Sequence, residues 1–272
     1  MTSVALLTDS SACLPLAPPP DTRIRVLPIR IHLRARDILD GSPSASELVY
    51  GALARREPVK SSAPTTVEYM TAIEEAPTDA VVIITPATEF TGMHRNAAVA
   101  AEISGRPAIV VDSRTAAAAQ GLVALAAAEA ADAGGSLEDV VAVARDAVRR
   151  AELVAALESI DFIERSGRVG PIALGLAKQL GIHPVFRLKD GAVERLGVPR
   201  SGEAVLNRIR KETHARGLAT ASRTTFFHAQ RAEAALRLRD RMGTAGTVTE
   251  FSPSMGIHTG PGVIGVAWLR GS

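Results

Sequence analysis

Two kinds of hydrophobic pattern alternate along the first half of the chain. Val4-Ala5-Leu6-Leu7, Ile24 to Leu33, Val81-Val82-Ile83-Ile84 and Ala108-Ile109-Val110-Val111 are short, continuous apolar runs. Their β-branched content is that of strands buried on both faces of a parallel sheet. Between and after them, Ala45 to Arg56, Thr66 to Glu75, Gly92 to Ile103 and Thr115 to Ala133 carry a helical pattern. Ser136-Leu137-Glu138-Asp139 opens one more helix, with the serine as its N-cap. This alternation predicts an α/β unit built on a parallel sheet.

The second half reads differently. Ile160 to Arg165 and Ile172 to Leu180 predict short helices. Pro184 to Leu188 and Ala192 to Val198 flank Lys189-Asp190-Gly191, a hairpin signal. Thr224 to His228 and Thr247 to Phe251 predict strands with a long helix between them, and the run from Val263 to Leu269 completes a mixed sheet. A boundary near residue 150 divides the chain into α/β domains over 1–150 and 151–272. No Gly/Ser-rich linker marks it, so the two parts are expected to pack closely. There is no internal repeat.

Composition narrows the functional classes. Of 272 residues 46% are hydrophobic but only 3% aromatic, so the core must be built from Ala, Val, Leu and Ile. The net charge is +2 and the arginines are scattered, which gives no basic stripe for nucleic acid. Cys13 is the only cysteine, which excludes an internal disulfide and a cysteine metal cluster and leaves it as a small apolar side chain. Met1 to Ser10 lacks the basic start and long apolar core of a secretory signal. The alanine-rich stretch from Thr115 to Ala133 is interrupted by Glu, Asp and Gln and is a poor membrane span. These features predict a soluble, cytoplasmic protein.

Candidate chemistry gathers where strands end. His258-Thr259-Gly260-Pro261-Gly262 is read as a bend into the last strand. Its glycines allow close backbone approach, and successive exposed N–H groups there can form an anion-binding concavity. The plain alternative is a turn with a surface histidine. Thr8-Asp9-Ser10-Ser11 and Thr85 to Gly92 each follow a strand, the place where open α/β sheets hold ligands. Ser61 and Ser62 precede the helix beginning near Thr66 and can donate to an anion at its start. Capping and Asx-turn roles explain the same residues. Three such loops can converge on one crevice. The chain has neither a Walker loop nor a GxGxxG fingerprint, and the loops are poor in lysine. Hydroxyls and amides of this kind suit a carboxylate or a neutral head group better than a polyphosphate.

Asp9, Asp40 and Asp112, with His94 or His258, match no metal-ligand spacing, and there is no GxSxG elbow. Arg168 and Arg200 lie on turns, where solvation is the simple reading. His32, His183, His214 and His228 are expected to be exposed or hydrogen-bonded.

In their order and spacing these segments resemble the DegV family of bacterial fatty-acid-binding proteins, almost end to end. Thr8-Asp9-Ser10 looks like the family's opening TDS, and Val26-Leu27-Pro28-Ile29 with Asp40-Gly41 like its VxPLxV…DG. Lys60-Ser61-Ser62-Ala63-Pro64 is similar to its KTSxP. Ala87-Thr88-Glu89-Phe90-Thr91-Gly92 stands in the place of its SSxLSG. Val111-Asp112-Ser113 matches a VDS, Ser166-Gly167-Arg168 a GGR, and Lys189-Asp190-Gly191 with Arg200 the following DG…R. His258 to Gly262 matches HTGPG without change. The chain departs from the pattern in carrying Ser61 and Thr91 as a swapped hydroxyl pair, Ala87 for one serine, His94 for a tyrosine and Ser166 for a glycine.

The resemblance implies two α/β domains and a long apolar tunnel for an acyl chain. Carried over, the carboxylate contacts are Ser61, Thr91 and His258, with the Gly92 backbone N–H as an addition. Arg168 and Arg200 would face a partner or a new phosphate. The implied partners are a long-chain fatty acid and a separate ATP-dependent, dihydroxyacetone-kinase-like fatty acid kinase subunit, which would make an acyl phosphate. Transient contact with a membrane surface is allowed. No catalytic residue, metal or cofactor beyond the bound fatty acid is implied. Two alternatives stay open: a metal-dependent hydrolase or phosphotransferase using Asp9, Asp112 and His258, and a lipid sensor or storage module without a kinase.

Overall fold

The computed structural model describes residues 3–14, 23–168 and 181–271. Four strands, β1 (Val4–Asp9), β2 (Ile24–Leu27), β6 (Ala80–Thr85) and β7 (Ala108–Asp112), form a parallel sheet in the order β2-β1-β6-β7. Strand alternation sends Leu7, Val81 and Ile83 to one face, against Tyr69 and Ile73 of α2 (Thr66–Glu74) and Ala97 of α3 (Met93–Ile103). Leu6, Val82 and Ile84 face the other way, toward α4 (Ala117–Asp132) and α5 (Leu137–Arg150). This is the α/β/α arrangement expected.

The second sheet is mixed. β8 (Ala151–Ala156), β9 (Val185–Lys189), β10 (Ala192–Gly197), β11 (Arg223–His228), β12 (Thr247–Glu250) and β13 (Ile264–Leu269) lie in the order β10-β9-β8-β13-β11-β12. Every pairing is antiparallel except β11 with β12. The Lys189-Asp190-Gly191 hairpin joins β9 to β10 as expected. The outer face of this sheet packs on α7 (Gly202–Ala215) and α8 (Ala232–Met242) through Val154, Val185, Ile209, Leu238 and Trp268.

The helix α4 lies between the two sheets, touching β1 and β6 on one side and β8, β11 and β13 on the other. Seven of its alanines are buried. Small side chains are what a helix wedged between two sheets requires where it faces them, while Glu129 and Asp132 reach solvent. One core cluster runs from Leu6 through Leu122 to Phe186 and Phe227. The proposed division near residue 150 falls where α5 meets β8 without a linker, but the core is continuous across it.

Three readings need correction. Ile24 to Leu33 is two strands, not one. Pro28, which has no N–H to donate to a ladder, separates β2 from β3 (Arg30–His32). β3 then pairs with β4 (Asp37–Leu39) and β5 (Lys60–Ser62) in a separate three-stranded antiparallel sheet that the sequence did not suggest. His258 and Thr259 are the last turn of α9 (Pro253–Thr259), not part of a bend. α6 (Asp161–Ser166) forms as expected, while the helix expected over Ile172 to Leu180 lies outside the described residues. Another helix, α1 (Ala45–Ala54), packs against α9. Among the described residues no helix is long and apolar enough to cross a membrane.

Candidate functional site

A cavity of about 190 Å³ opens between the start of α4 and the inner face of the mixed sheet. Leu153 and Ala155 on β8, and Phe186 and Leu188 on β9, line it because alternate strand residues share a face. Ala116 and Ala117 leave room on the helix side. Phe227 and Phe251 stack on each other at 5.6 Å between centroids, and both reach the wall. The wall is mostly apolar, and Ser61, Thr91, Arg168 and His258 are among its polar groups.

Ser61 reaches the cavity because of strand register. It sits opposite Ile31 in the β3–β5 pairing, so its neighbours Lys60 and Ser62 point to the other face. Ser62 therefore does not join the site; its Oγ lies 2.9 Å from Nε2 of His32, whose Nδ1 is 2.9 Å from Asp37. Nor is the start of α2 open to an anion. Thr65 and Glu68 close it with a capping box, the Thr65 Oγ1 accepting from the Glu68 N–H at 3.2 Å.

His258, from α9, places Nε2 3.1 Å from Ser61 Oγ. Burial, and secondarily the positive charge of Arg168, push its pKa from 6.5 down to about 4. The imidazole is thus neutral at pH 7, with one N–H to donate. Thr91 Oγ1 accepts the Met93 N–H at 3.3 Å and keeps its own proton to donate. Gly92 is the N-cap of α3, exposed, and not part of the cavity wall.

The glycines after His258 serve a different purpose from the one expected. The Gly260 N–H donates to Gly256 at 2.8 Å and the Gly262 N–H to Ala229 at 3.0 Å, so neither is free for an anion. Both residues have positive φ, 79° and 87°. A Cβ at Gly260 would overlap the Phe162 ring, and one at Gly262 would lie 2.8 Å from Glu158 Cβ. These glycines bend the chain tightly over the segment around α6.

Two arginines lie in the wall. Arg187 is neutralised by Glu152, which it meets through two contacts of 2.9 and 3.0 Å. Arg168 is exposed, no carboxylate pairs with it among the described residues, and it donates to the Ser166 carbonyl at 3.1 Å. Arg200 is exposed on the turn before α7 and is not brought to the cavity.

The aspartates are structural. Asp9 is fully buried and accepts from the Ser11 N–H at 3.0 Å, from Gln120 Nε2 at 2.8 Å and from Ser11 Oγ. Burial raises its pKa. Asp112 accepts from the Arg114 N–H at 2.7 Å and from Thr88 Oγ1 at 3.2 Å. Of Asp9, Asp112 and His258 only the histidine faces the cavity. The described residues contain no cluster of three or more His, Cys, Asp or Glu able to hold a metal ion. Cys13 is buried and its thiol is pushed up to about 12 by desolvation. Ser254 and the aromatic wall were missed from sequence. The alternation within Val185 to Lys189 was the available signal for Phe186 and Leu188.

Fold and site define an α/β protein with an apolar compartment between its central helix and its mixed sheet and a serine–histidine pair on the wall. The chain belongs to the DegV family, described as "Uncharacterised protein, DegV family", which it matches over residues 3–271. A DegV domain-containing protein of Streptomyces coelicolor is 32% identical over 272 residues, covering 97% of each chain. A solved Thermus thermophilus DegV family protein, described by its fatty acid binding, superposes with a TM-score of 0.91 at 24% identity, covering 98% of this chain and 99% of that one. A DegV family protein from Eubacterium eligens, loaded with heptadecanoic acid, gives 0.87 at 15% identity, covering 98% and 100%. At these identities the two structures establish the fold.

Proposed function

We propose that this protein binds a long-chain fatty acid, with the acyl chain in the cavity between α4 and the mixed sheet and the carboxylate at Ser61, Thr91 and His258. The observation that carries this reading is the Ser61–His258 contact on the wall of an otherwise apolar compartment. Apolar burial contributes about 0.8 kcal/mol per methylene, less the cost of immobilising the chain. A carboxylate leaving water needs donors in return; the Thr91 hydroxyl supplies one, and the Ser61–His258 pair, which spends one of its two protons between its own groups, supplies another.

Donors of this kind leave one carboxylate oxygen approachable by a phosphoryl group. The finer proposal is that the bound acid is presented, in the cytoplasm, to a separate ATP-dependent kinase subunit, with Arg168 and Arg200 on the partner side. The exposed Arg168 guanidinium at the wall supports this role. The chain itself performs no chemistry in this reading.

Mass spectrometry of an organic extract from the natively purified protein tests the binding. A stoichiometric fatty acid supports it, and an empty protein that takes up no added fatty acid overturns it. Incubating the loaded protein with ATP and a fatty acid kinase subunit tests the second step. Lipid retention without acyl phosphate formation would leave a sensor or storage module.

A further inference from the structure

Asp40 is fully buried and lies outside the cavity wall, yet four donors converge on it. Its Oδ2 accepts from Ser10 Oγ at 2.7 Å, from Ser254 Oγ at 2.6 Å and from Ser252 Oγ. Its Oδ1 accepts the Ser254 N–H at 3.2 Å. No lysine, arginine or histidine pairs with it among the described residues. Its only compensation is therefore this set of hydroxyls and one amide. A carboxylate fits because it accepts at both oxygens and donates at neither.

The position of Asp40 gives the cluster a purpose. Asp40 follows β4, and its own N–H donates to Ile29 at 2.8 Å, which fixes it to the edge of the three-stranded sheet. That sheet also carries Ser61 on β5. Ser254 and His258 are four residues apart on α9 and share a helix face. The small sheet and α9 are thus tied twice, by Asp40 to Ser254 at the start of the helix and by Ser61 to His258 at its end. The neighbouring Tyr50 adds no polar tie: its hydroxyl is buried without a partner, and its ring packs where a Gly256 Cβ would stand.

We propose that Asp40 is a positioning residue for the head-group site, setting α9 through Ser252 and Ser254 so that His258 meets Ser61 and both face the ligand carboxylate. The ligand part of this rests on the fatty-acid reading above.

The test is a double-mutant cycle on fatty-acid affinity. Asp40→Asn turns one acceptor into a donor at the point where three hydroxyls donate. It is expected to weaken binding by about five- to tenfold, the effect of one hydrogen bond. In a His258→Ala background the same substitution is expected to cost less than about twofold, because its effect passes through the histidine. An equal loss in both backgrounds, or no loss in either, overturns the proposal. If Asp40→Asn does not fold, Ser252→Ala, which removes one donor to Asp40 from outside the wall, replaces it in the same cycle. If the protein binds no fatty acid, the function fails but the positioning is still read by the ¹⁵N shift of His258 Nε2. Movement toward the free imidazole value in Asp40→Asn supports it, and an unchanged shift overturns it.

Discussion

Ser61 and His258 stand 197 positions apart in the chain and 3.1 Å apart in the fold. One comes from a strand of the small antiparallel sheet and the other from the last turn of α9. Their meeting brings a hydroxyl and a neutral imidazole to the wall of an apolar cavity, where water competes poorly for either.

Removing a head-group donor should weaken retention of fatty acid without unfolding the protein. Ser61→Ala, Thr91→Ala and His258→Ala are each expected to lower affinity by about five- to tenfold, the usual effect of a lost hydrogen bond to a charged or polar ligand. Calorimetric titration with a delipidated protein measures this. Unchanged affinity in all three variants would remove the head-group assignment.

His258 makes stability depend on pH. Its pKa is about 4 in the folded protein and near 6.5 when unfolded, so between these values the unfolded chain binds the extra proton. Stability is therefore expected to fall as pH drops from about 6.5 to about 4, by the order of 3 kcal/mol, and to level off below. Asp9, whose pKa is raised by burial, acts with the opposite sign at acid pH. The difference in urea unfolding between wild type and His258→Ala isolates the histidine. A difference independent of pH from 4 to 7, on the order of the whole window, would contradict it.

Arg168 and Arg200 should separate lipid binding from partner coupling. Arg168→Ala and Arg200→Ala are expected to hold fatty acid normally and to slow acyl phosphate formation by an added kinase subunit. Arg168→Ala should also raise the His258 pKa part of the way toward 6.5, since burial lowers it most and the Arg168 charge adds to that. Imidazole NMR follows that rise, and Arg200→Ala serves as the comparison. Loss of bound lipid in Arg168→Ala would make this wall residue a contact of the lipid itself, and loss in Arg200→Ala would make that residue part of the pocket.

Ala155→Phe should fill the cavity from β8. It is expected to abolish retention of long acyl chains while the empty protein keeps or gains thermal stability, because the new ring occupies open space. The wild-type protein should in turn lose several degrees of Tm on delipidation, as a tightly bound ligand is removed. Scanning calorimetry on the extracted and reloaded protein measures both.

Gly260→Ala should destabilise the fold by about 2 kcal/mol or more, since its φ of 79° disfavours a Cβ and the Phe162 ring occupies the space. Chemical denaturation checks this.

Much of the fold was legible because β-branched runs and helical stretches state their periods locally. The parallel strands β1, β6 and β7 and the β9–β10 hairpin follow from such runs, while the order of the strands in the sheet does not. The small sheet was not legible, since Arg30–His32, Asp37–Leu39 and Lys60–Ser62 are three residues each and carry no period. That same sheet decides which serine faces the cavity, so local pattern left Ser61 and Ser62 equivalent, and only the family resemblance singled out Ser61. The Gly260 and Gly262 amides were misread because their partners, Gly256 and Ala229, are fixed by a helix and a tertiary contact. Asp9 looked like chemistry because a buried carboxylate held by serines has the same sequence appearance as one that waits for a ligand.

The alanine helix between the sheets divides the protein's freedom to diverge. A larger side chain at the buried alanines of α4 would push the two sheets apart, so drift there is penalised from both sides. Leu153, Ala155, Phe186, Leu188 and Val193 sit on strands whose far face is independently packed, and they can change size with less disturbance. Relatives that prefer shorter, longer or branched guests are therefore expected to differ on β8, β9 and β10, while the central helix keeps its small residues.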